Sequence, residues 1–260
     1  MASETFEFKQ FTIEQDQCAM KVSTDGVLLG AWTDISDIKT VLDIGTGTGL
    51  IALMLAQKLN THPTASMDGN NPTFMIDAIE IESTAAKQAS ENMAKSPWGD
   101  QIHVHACSLQ SYLDVCQTTY DLIVSNPPFF ENAMWSPSLE RTMARHADIL
   151  TTTDLLDTME PLLNDGGRLC VIYPTKIADY FQREGERRGY LCTRKLAVKP
   201  KPNTPAKRVM LELMKPMPHT DRTADSAGDT REGETMVLEH SRHIYSSTFI
   251  DMTRDFYLSF

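Results

Sequence analysis

Short apolar runs alternate with longer helical patterns through the first half of the chain. Four short segments predict strands, and the first of them is apolar enough to be covered on both faces. They occupy residues 41–44, 74–80, 102–106 and 120–125. Residues 50–59 are apolar nearly all round, and residues 84–96 carry an alanine-rich face, so both stretches predict helices that pack on a sheet. Strands that alternate with helices predict parallel pairing with right-handed crossovers.

The second half continues the pattern and ends differently. Residues 154–163 and 176–188 predict helices, the first capped by Thr153 or Asp154. Strands are expected at 168–173, after a Gly166-Gly167 turn, and then at 190–198 and 208–213 as a hairpin-like pair. The aromatic C-terminal segment predicts a docking helix. The fold class is therefore α/β, a doubly wound, seven-stranded, mostly parallel sheet of Rossmann-like type.

The pattern also predicts the domain organisation. Residues 1–39 form an N-terminal extension that can act as a lid, and residues 40–260 form one α/β domain. Two polar stretches interrupt that domain. Residues 60–73 predict a surface loop, and residues 218–235 are acidic and rich in Gly, Ser and Thr, which is typical of a disordered insertion.

Composition narrows the class of protein. With 260 residues and 41% hydrophobic content, the chain can bury a substantial core, and no apolar run reaches the ~18 residues that a membrane span needs. The N-terminus lacks the features of a signal peptide, and the five cysteines include no C-x-x-C pair. These features predict reduced thiols, a cytoplasmic location, no membrane partner and no metal site, since the histidines lack ligand spacing.

The charge is unevenly distributed. The net charge is −11, but residues 183–215 hold ten Lys and Arg against three acids, a local charge of +7. This basic segment predicts either a solvated face or a contact with a polyanion. Its candidate residues for such a contact lie on and beside a proline-stiffened loop: Lys199, Lys201, Lys207 and Arg208.

A glycine loop follows the first strand of the predicted sheet. Gly45, Gly47 and Gly49 leave room for a ligand, as in nucleotide-type cofactor sites. Leu50 occupies the third glycine position of a dinucleotide motif, and Asp43 would face a pyrophosphate with a carboxylate. The pattern therefore favours a cofactor with a positive amine or sulfonium. The alternative is a tight strand-to-helix turn without a ligand.

Two further positions are expected beside this loop. Glu80 ends the second strand, where a carboxylate can accept hydrogen bonds from ribose hydroxyls, although a solvated strand-end acid is the simpler alternative. Asn126, Pro127, Pro128 and Phe129 follow the fourth strand. The prolines remove two donors, so that the Asn126 amide oxygen and the Pro127 carbonyl can accept from a planar amine while Phe129 stacks on its ring. A rigid proline turn is the alternative.

These motifs together resemble the tRNA(Val) adenine-N6-methyltransferase family, which modifies adenine 37 beside the anticodon. The resemblance extends to residues 18–32, Glu91-Asn92, residues 96–98 and residues 255–258. It implies S-adenosylmethionine as cofactor, a valine tRNA as partner, and cofactor contacts from Thr24 and Asp25. Ser108 departs from the family pattern, which usually has an Asp there to accept from the cofactor's adenine, so we expect at most a weaker contact.

Other classes remain open at this stage. A glutamine-N5 methyltransferase of release factors shares the Asn-Pro-Pro-Phe tetrad but has a helical domain before the glycine loop, and about 40 residues are too few for a typical domain. A non-catalytic cofactor-binding module is a second alternative. A nicotinamide dehydrogenase is disfavoured by Leu50 and Asp43.

Overall fold

The computed structural model describes residues 4–61, 74–128, 150–218 and 233–259. By compactness the chain divides into two units. The first unit comprises residues 1–126 with 250–260, and the second comprises residues 127–249.

Four parallel strands form the sheet of the first unit. They are β3 (Thr40–Ile44), β4 (Met75–Glu80), β5 (Ile102–Ala106) and β6 (Tyr120–Ser125), in the order β6-β3-β4-β5. All four were predicted from the sequence as short strands between polar segments. The strand order reverses at β3, so the carboxyl ends of β3 and β6 lie side by side. Ligands bind at such switch points in open α/β sheets.

Helices cover this sheet. The bounds are α1 Thr24–Trp32, α2 Leu50–Thr61, α3 Ser83–Ala94 and α4 Leu109–Val115, with a 3-10 turn at Gly99–Gln101. Helix α2 is buried on almost every side, as its apolar sequence predicted. Helix α4 was not predicted from the sequence.

The chain ends also pack in the first unit. Strands β1 (Thr5–Glu7) and β2 (Thr12–Glu14) pair as an antiparallel hairpin, and Phe8 bridges to Tyr257 near the C-terminus. Lys9 N donates to the Phe256 carbonyl over 2.8 Å, and the Phe256 side chain is buried. The N-terminal extension is thus held by ordered hydrogen bonds and aromatic packing.

The second unit contains four sheet strands and a small two-stranded ribbon. Its strand order is β10-β8-β9-β7, with β9 antiparallel to β7 and β8, and β10 parallel to β8. The bounds are α5 Thr152–Leu162, β7 Leu163–Pro174, α6 Thr175–Arg187, β8 Leu191–Lys199, β9 Arg208–Met214, β10 Glu234–Val237, β11 Glu239–Ser241, β12 Ile244–Tyr245 and α7 Ser247–Thr253. The two units therefore contribute four strands each, and β10 is the strand beyond the predicted seven.

Several boundaries differ from those predicted. Helix α5 is capped by Thr151, whose side chain forms a reciprocal capping box with Asp154, so the helix begins before the predicted cap. Gly166 and Gly167 lie within β7, where Gly166 N donates to Lys215 O and Lys215 N donates to Gly167 O, both over 2.9 Å. A φ of 79° at Gly166 lets the ladder continue through the position predicted as a turn.

Glu234 and Thr235, placed by the sequence in a disordered insertion, belong to β10. Most of that insertion and residues 62–73 lie outside the described residues.

Two features are absent from the described part of the chain. No helix there is both long and apolar enough to cross a membrane. In the same ranges, no three His, Cys, Asp or Glu side chains are grouped so that they could hold a metal ion.

Candidate functional site

The glycine loop is held by backbone hydrogen bonds from its neighbouring strand. Gly45 N and Thr46 N both donate to the Ile79 carbonyl, over 2.9 and 3.0 Å. Gly45, Gly47 and Gly49 have φ values of 72°, 58° and 87°, which side chains rarely tolerate. A Cβ at Gly45 or Gly47 would meet nothing within 4 Å, whereas one at Gly49 would lie 2.9 Å from Met93 Cε. The first two glycines therefore border open space, and the third allows close packing on α3.

Asp43 is buried beneath this loop. Its side chain has no exposed surface, and its Oδ2 accepts a hydrogen bond from Thr46 Oγ1 over 2.6 Å. Burial raises the pKa of the Asp43 carboxyl from 3.8 to about 7, while the Thr46 hydrogen bond opposes that shift. Asp43 Oδ1 has no hydrogen-bond partner among the described residues. Asp43 thus anchors the loop, and its predicted contact with a cofactor stays a prediction.

Glu80 connects the tip of β4 to the same loop. Its Oε2 accepts from Gly47 N over 2.9 Å, and its Oε1 accepts from Glu82 N over 3.0 Å. The side chain is half-buried, and each carboxylate oxygen has a second lone-pair direction left for a ligand hydroxyl. Glu80 therefore shapes the glycine loop in addition to the ribose contact that the sequence predicted.

Asn126 lies where β6 ends. Ser125 pairs with Ile44 across the strands, and Ser125 Oγ donates to the Ile44 carbonyl over 2.8 Å. The Asn126 amide oxygen is buried and has no hydrogen-bond partner in the described part of the chain. A buried acceptor without a donor is costly, so it points to a group that donates to it when a ligand binds.

The rest of the Asn-Pro-Pro-Phe tetrad is described only in part. Pro127 is buried and Pro128 is exposed. Phe129, which the sequence predicted to stack on the acceptor base, lies outside the described residues. Among the described residues of the tetrad, Asn126 is therefore the one whose geometry bears on the predicted catalytic role.

The N-terminus of α1 lies beside Asn126. Ser23 caps the helix by accepting from Gly26 N over 3.1 Å, and Thr24 and Asp25 form the first helical turn. A Cβ at Gly26 would lie 3.0 Å from Leu50 Cδ2 and 3.9 Å from Asn126 Nδ2. The predicted lid residues are thus brought next to the glycine-loop helix and the tetrad asparagine.

Asn92 is a positioning residue that the sequence reasoning did not assign. Its Nδ2 donates to the Thr48 and Glu14 carbonyls, and its Oδ1 accepts from Glu14 N, all over 2.9 Å. The side chain is 1% exposed. Asn92 thereby joins the N-terminal hairpin to the glycine loop. Its only signal in the sequence was the Glu91-Asn92 pair that contributed to the family resemblance.

Ser108 has a local structural role. Its Oγ accepts from Ser111 N over 3.1 Å and lies 3.0 Å from Ser111 Oγ, which makes it the N-cap of α4. The hydroxyl can still reach a ligand through its remaining lone pair, so the predicted contact with the cofactor's adenine stays a prediction.

The basic segment of the second unit separates into two groups. Five of its ten cations have carboxylate partners: Arg187 with Glu184, Arg188 with Asp157, Arg194 with Glu212, Lys195 with Asp179, and Lys215 with Glu160 and Asp165. Lys199, Lys201 and Lys207 have no carboxylate within 4.0 Å in the described ranges. Arg208 Nη1 donates to the Lys207 carbonyl over 3.3 Å. The surplus charge therefore lies on Lys199, Lys201 and Lys207, at and within the loop between β8 and β9, and on exposed Arg183 of α6, which also has no carboxylate within 4.0 Å among the described residues.

Comparison with a solved structure agrees with this fold. A crystal structure of a predicted O-methyltransferase from Agrobacterium tumefaciens matches with a TM-score of 0.58, over 89% of this chain and 96% of that one. The sequences are 13% identical, so the likeness shows the fold alone. The predicted α/β methyltransferase-type fold is confirmed.

Sequence comparisons give the family. Residues 25–178 match the family described as methyltransferase small domain. A protein of Trichodesmium erythraeum named tRNA1(Val) (adenine(37)-N6)-methyltransferase is 47% identical over 260 residues, with 100% of both chains covered. A relative of the same name from Bacteroides fragilis is 40% identical over 259 residues, with 99% of both chains covered. The chain therefore belongs to the tRNA1(Val) (adenine(37)-N6)-methyltransferase family.

Proposed function

We propose that the protein transfers a methyl group from S-adenosylmethionine to the N6 amine of adenine 37 in the anticodon loop of a valine tRNA. The observation that supports this most directly is the buried, unpartnered amide oxygen of Asn126 at the end of β6. A single strong acceptor at that point suits an N–H₂ group. The names of the full-length relatives give the same substrate.

The residues present fit the methyl donor. Open space borders Gly45 and Gly47, so a bulky ligand can approach their backbone closely. Glu80 offers charged acceptors for ribose hydroxyls beside that space. When bound, S-adenosylmethionine supplies an electrophilic methyl group on a positively charged sulfur. Gly45, Gly47, Glu80 and the first turn of α1 would hold it, and Asp43 would keep the loop in place from below.

Asn126 then orients the acceptor. Its Oδ1 accepts a hydrogen bond from the adenine amine, and the Pro127 carbonyl is a second available acceptor. These bonds favour the amine geometry in which the nitrogen lone pair is free to form the new N–C bond. The bound cofactor would supply the methyl group and its sulfur would keep the bonding pair, while Asn126 holds the amine in place; the extra proton on the nitrogen would then pass to water. Positioning of the two reactants is the main catalytic contribution.

A loop adenine is a physically reasonable target. An unpaired base can be turned into a pocket without the cost of opening a duplex. Lys199, Lys201, Lys207 and Arg208 would contact the phosphate backbone, which requires positive charge and no base-specific readout. A tRNA substrate places the enzyme in the cytoplasm under this proposal.

The experiment uses purified protein, S-adenosylmethionine and unmodified valine tRNA. Nucleosides from the product are identified by mass spectrometry and mapped to position by nuclease fragments. We expect N6-methyladenosine at position 37 and none in a matched tRNA with guanine at that position. If the tRNA stays unmodified while a release-factor glutamine gains a methyl group, the glutamine methyltransferase alternative is correct.

A further inference from the structure

A small ribbon lies directly beside the basic loop of the second unit. Strands β11 and β12 form a hairpin over residues 239–245, which turns at His243 with a φ of 65°. Leu238 N donates to the Lys199 carbonyl over 2.8 Å, and Glu239 N donates to the Pro200 carbonyl over 3.2 Å. Strand β10 also pairs Val237 with Lys199. The hairpin is therefore fixed to the segment that begins the lysine-bearing loop.

Two large apolar side chains of the hairpin are exposed to solvent. Ile244 is 59% exposed and Tyr245 is 39% exposed. The Tyr245 ring packs against buried Phe249, with centroids 4.8 Å apart and planes at 30°. This packing holds the ring in one orientation while part of it remains accessible. A rigid, accessible aromatic ring can stack on a nucleic-acid base, which presents a π-face whatever its sequence.

Positive charge accompanies the aromatic ring. Arg242 is exposed, its Nε lies 3.2 Å from His243 Nε2, and it has no carboxylate within 4.0 Å among the described residues. The nearby acid Glu239 accepts from His243 N over 3.2 Å and so helps to form the turn. Together with Lys199, Lys201 and Lys207, Arg242 gives the loop and hairpin four cations that lack a carboxylate partner among the described residues.

We propose that the hairpin is a second tRNA-contacting element, in which Arg242 binds backbone phosphate and Tyr245 stacks on an unpaired base. This inference rests on the proposed function, because it takes tRNA as the substrate. The hairpin contributes to binding, and its residues take no part in methyl transfer. A polyanion matches the four cations. Two exposed apolar side chains provide far less than the ~800 Å² per partner that a standard protein interface buries, so the occupant we commit to is tRNA.

The test compares matched variants of the full-length enzyme. Tyr245→Ala and Arg242→Ala are measured beside Tyr245→Phe, which keeps the ring, and Arg242→Lys, which keeps the charge. Lys87→Ala removes a 70% exposed lysine of the first unit and serves as control. We expect Tyr245→Ala to raise the KM for tRNA about 5- to 100-fold, the range of losing one stacked base. Tyr245→Phe and the control should stay near wild type, with kcat and cofactor affinity unchanged in all variants.

The outcomes separate this inference from the proposed function. If wild-type enzyme forms N6-methyladenosine in tRNA but Tyr245→Ala and Arg242→Ala keep its KM for tRNA, the hairpin proposal is wrong and the function stands. If wild-type enzyme does not modify tRNA, the proposed function itself fails. Sedimentation of each variant is run in parallel. A change in self-association without a change in tRNA affinity would assign the hairpin to a second copy of the chain and overturn the proposal.

Discussion

The glycine-loop site of the first unit and the basic loop of the second unit are built in opposite ways. Around the glycine loop, buried and half-buried polar groups are joined by short hydrogen bonds, which Asp43 and Glu80 accept and Asn92 donates. On the basic loop, Lys201 and Lys207 are exposed and have no acidic partner within the described ranges. The hydrogen bonds around the glycine loop hold atoms in fixed positions. The lysines of the basic loop supply charge on side chains that no ion pair among the described residues holds in place.

This difference matches what the task proposed for each region requires. Methyl transfer depends on geometry, since reacting atoms must be held within a narrow range of distance and angle. Binding a phosphate backbone depends on counterion release, which tolerates flexible side chains. The two regions should therefore respond differently to pH, to salt and to small changes of side-chain shape, and four predictions test that contrast.

The largest effect is expected at Asp43, on stability. Because burial raises its pKa from 3.8 to about 7, the folded state holds the proton more tightly than the unfolded state does. The corresponding stability is fully present below pH ~4 and is lost as pH rises to ~7. Asp43→Asn mimics the protonated form, so we expect it to be near wild type at pH 4 and more stable at pH 8, by up to about 4 kcal/mol.

Denaturant unfolding of both proteins between pH 4 and pH 8 measures this difference. The comparison of the two proteins cancels the contribution of other titrating groups. A difference that does not change with pH would show that Asp43 is ionised in the free enzyme and that its buried charge is compensated.

The next largest effect is expected at Asn126, on turnover. Asn126→Ala removes the buried acceptor but none of the bonds that hold the glycine loop. We expect a loss of ~100- to 1,000-fold in kcat, the scale of removing one preorganised hydrogen-bonding group from a reacting centre. Single-turnover methylation of tRNA measures it, and calorimetry with S-adenosylmethionine should show unchanged affinity. Equal losses in both would mean that Asn126 supports the pocket and does not orient the acceptor.

A smaller effect is expected at Glu80, on cofactor affinity. Glu80→Ala should weaken S-adenosylmethionine binding by about 1–3 kcal/mol, because it removes charged acceptors and also the bond to Gly47 N. Glu80→Gln keeps one neutral acceptor, so its affinity for S-adenosylmethionine should lie between those of the wild type and Glu80→Ala. Calorimetry with S-adenosylmethionine ranks the affinities of the three proteins. If folded Glu80→Ala binds the cofactor as wild type does, Glu80 shapes the loop without touching the ligand.

Regular elements of the first unit could be predicted because their signal is local. Strands β5 and β6 begin and end at the predicted residues. Strand β6 is largely an apolar run, whereas β5 alternates apolar residues with His103 and His105. Strand β10 gave no such signal. It has four residues and only Met236 is buried, so no alternation marks it. The turn at His243 also has a positive φ without the glycine or asparagine that usually announces one.

The candidate site shows the same division between local and distant information. The glycine loop, Glu80 and Asn126 could be placed from the sequence because parallel strands bring their carboxyl ends to one edge. The role of Asn92 depends on partners 44 and 78 positions away along the chain. Part of the pairing of the basic segment is also non-local, since Arg188 and Lys195 meet Asp157 and Asp179, which are 31 and 16 positions away along the chain. A count of charges along the sequence therefore overstated the positive charge left for RNA.

The smallest effect is expected on the basic loop, and it should depend on salt. Lys199→Ala with Lys201→Ala removes two cations that have no acidic partner among the described residues. We expect tRNA affinity to fall on the order of tenfold at low salt, and the slope of log affinity against log salt to decrease by about 2.

The control is Lys87→Ala with Arg187→Ala. It removes the same charge from two side chains, each 70% exposed and already paired with a glutamate. Filter binding over a salt series measures both double variants. Because the control cations are already neutralised, their removal should leave the salt slope close to that of wild type. Equal slopes for the two double variants would mean that net charge alone governs binding and that the position of the loop is irrelevant.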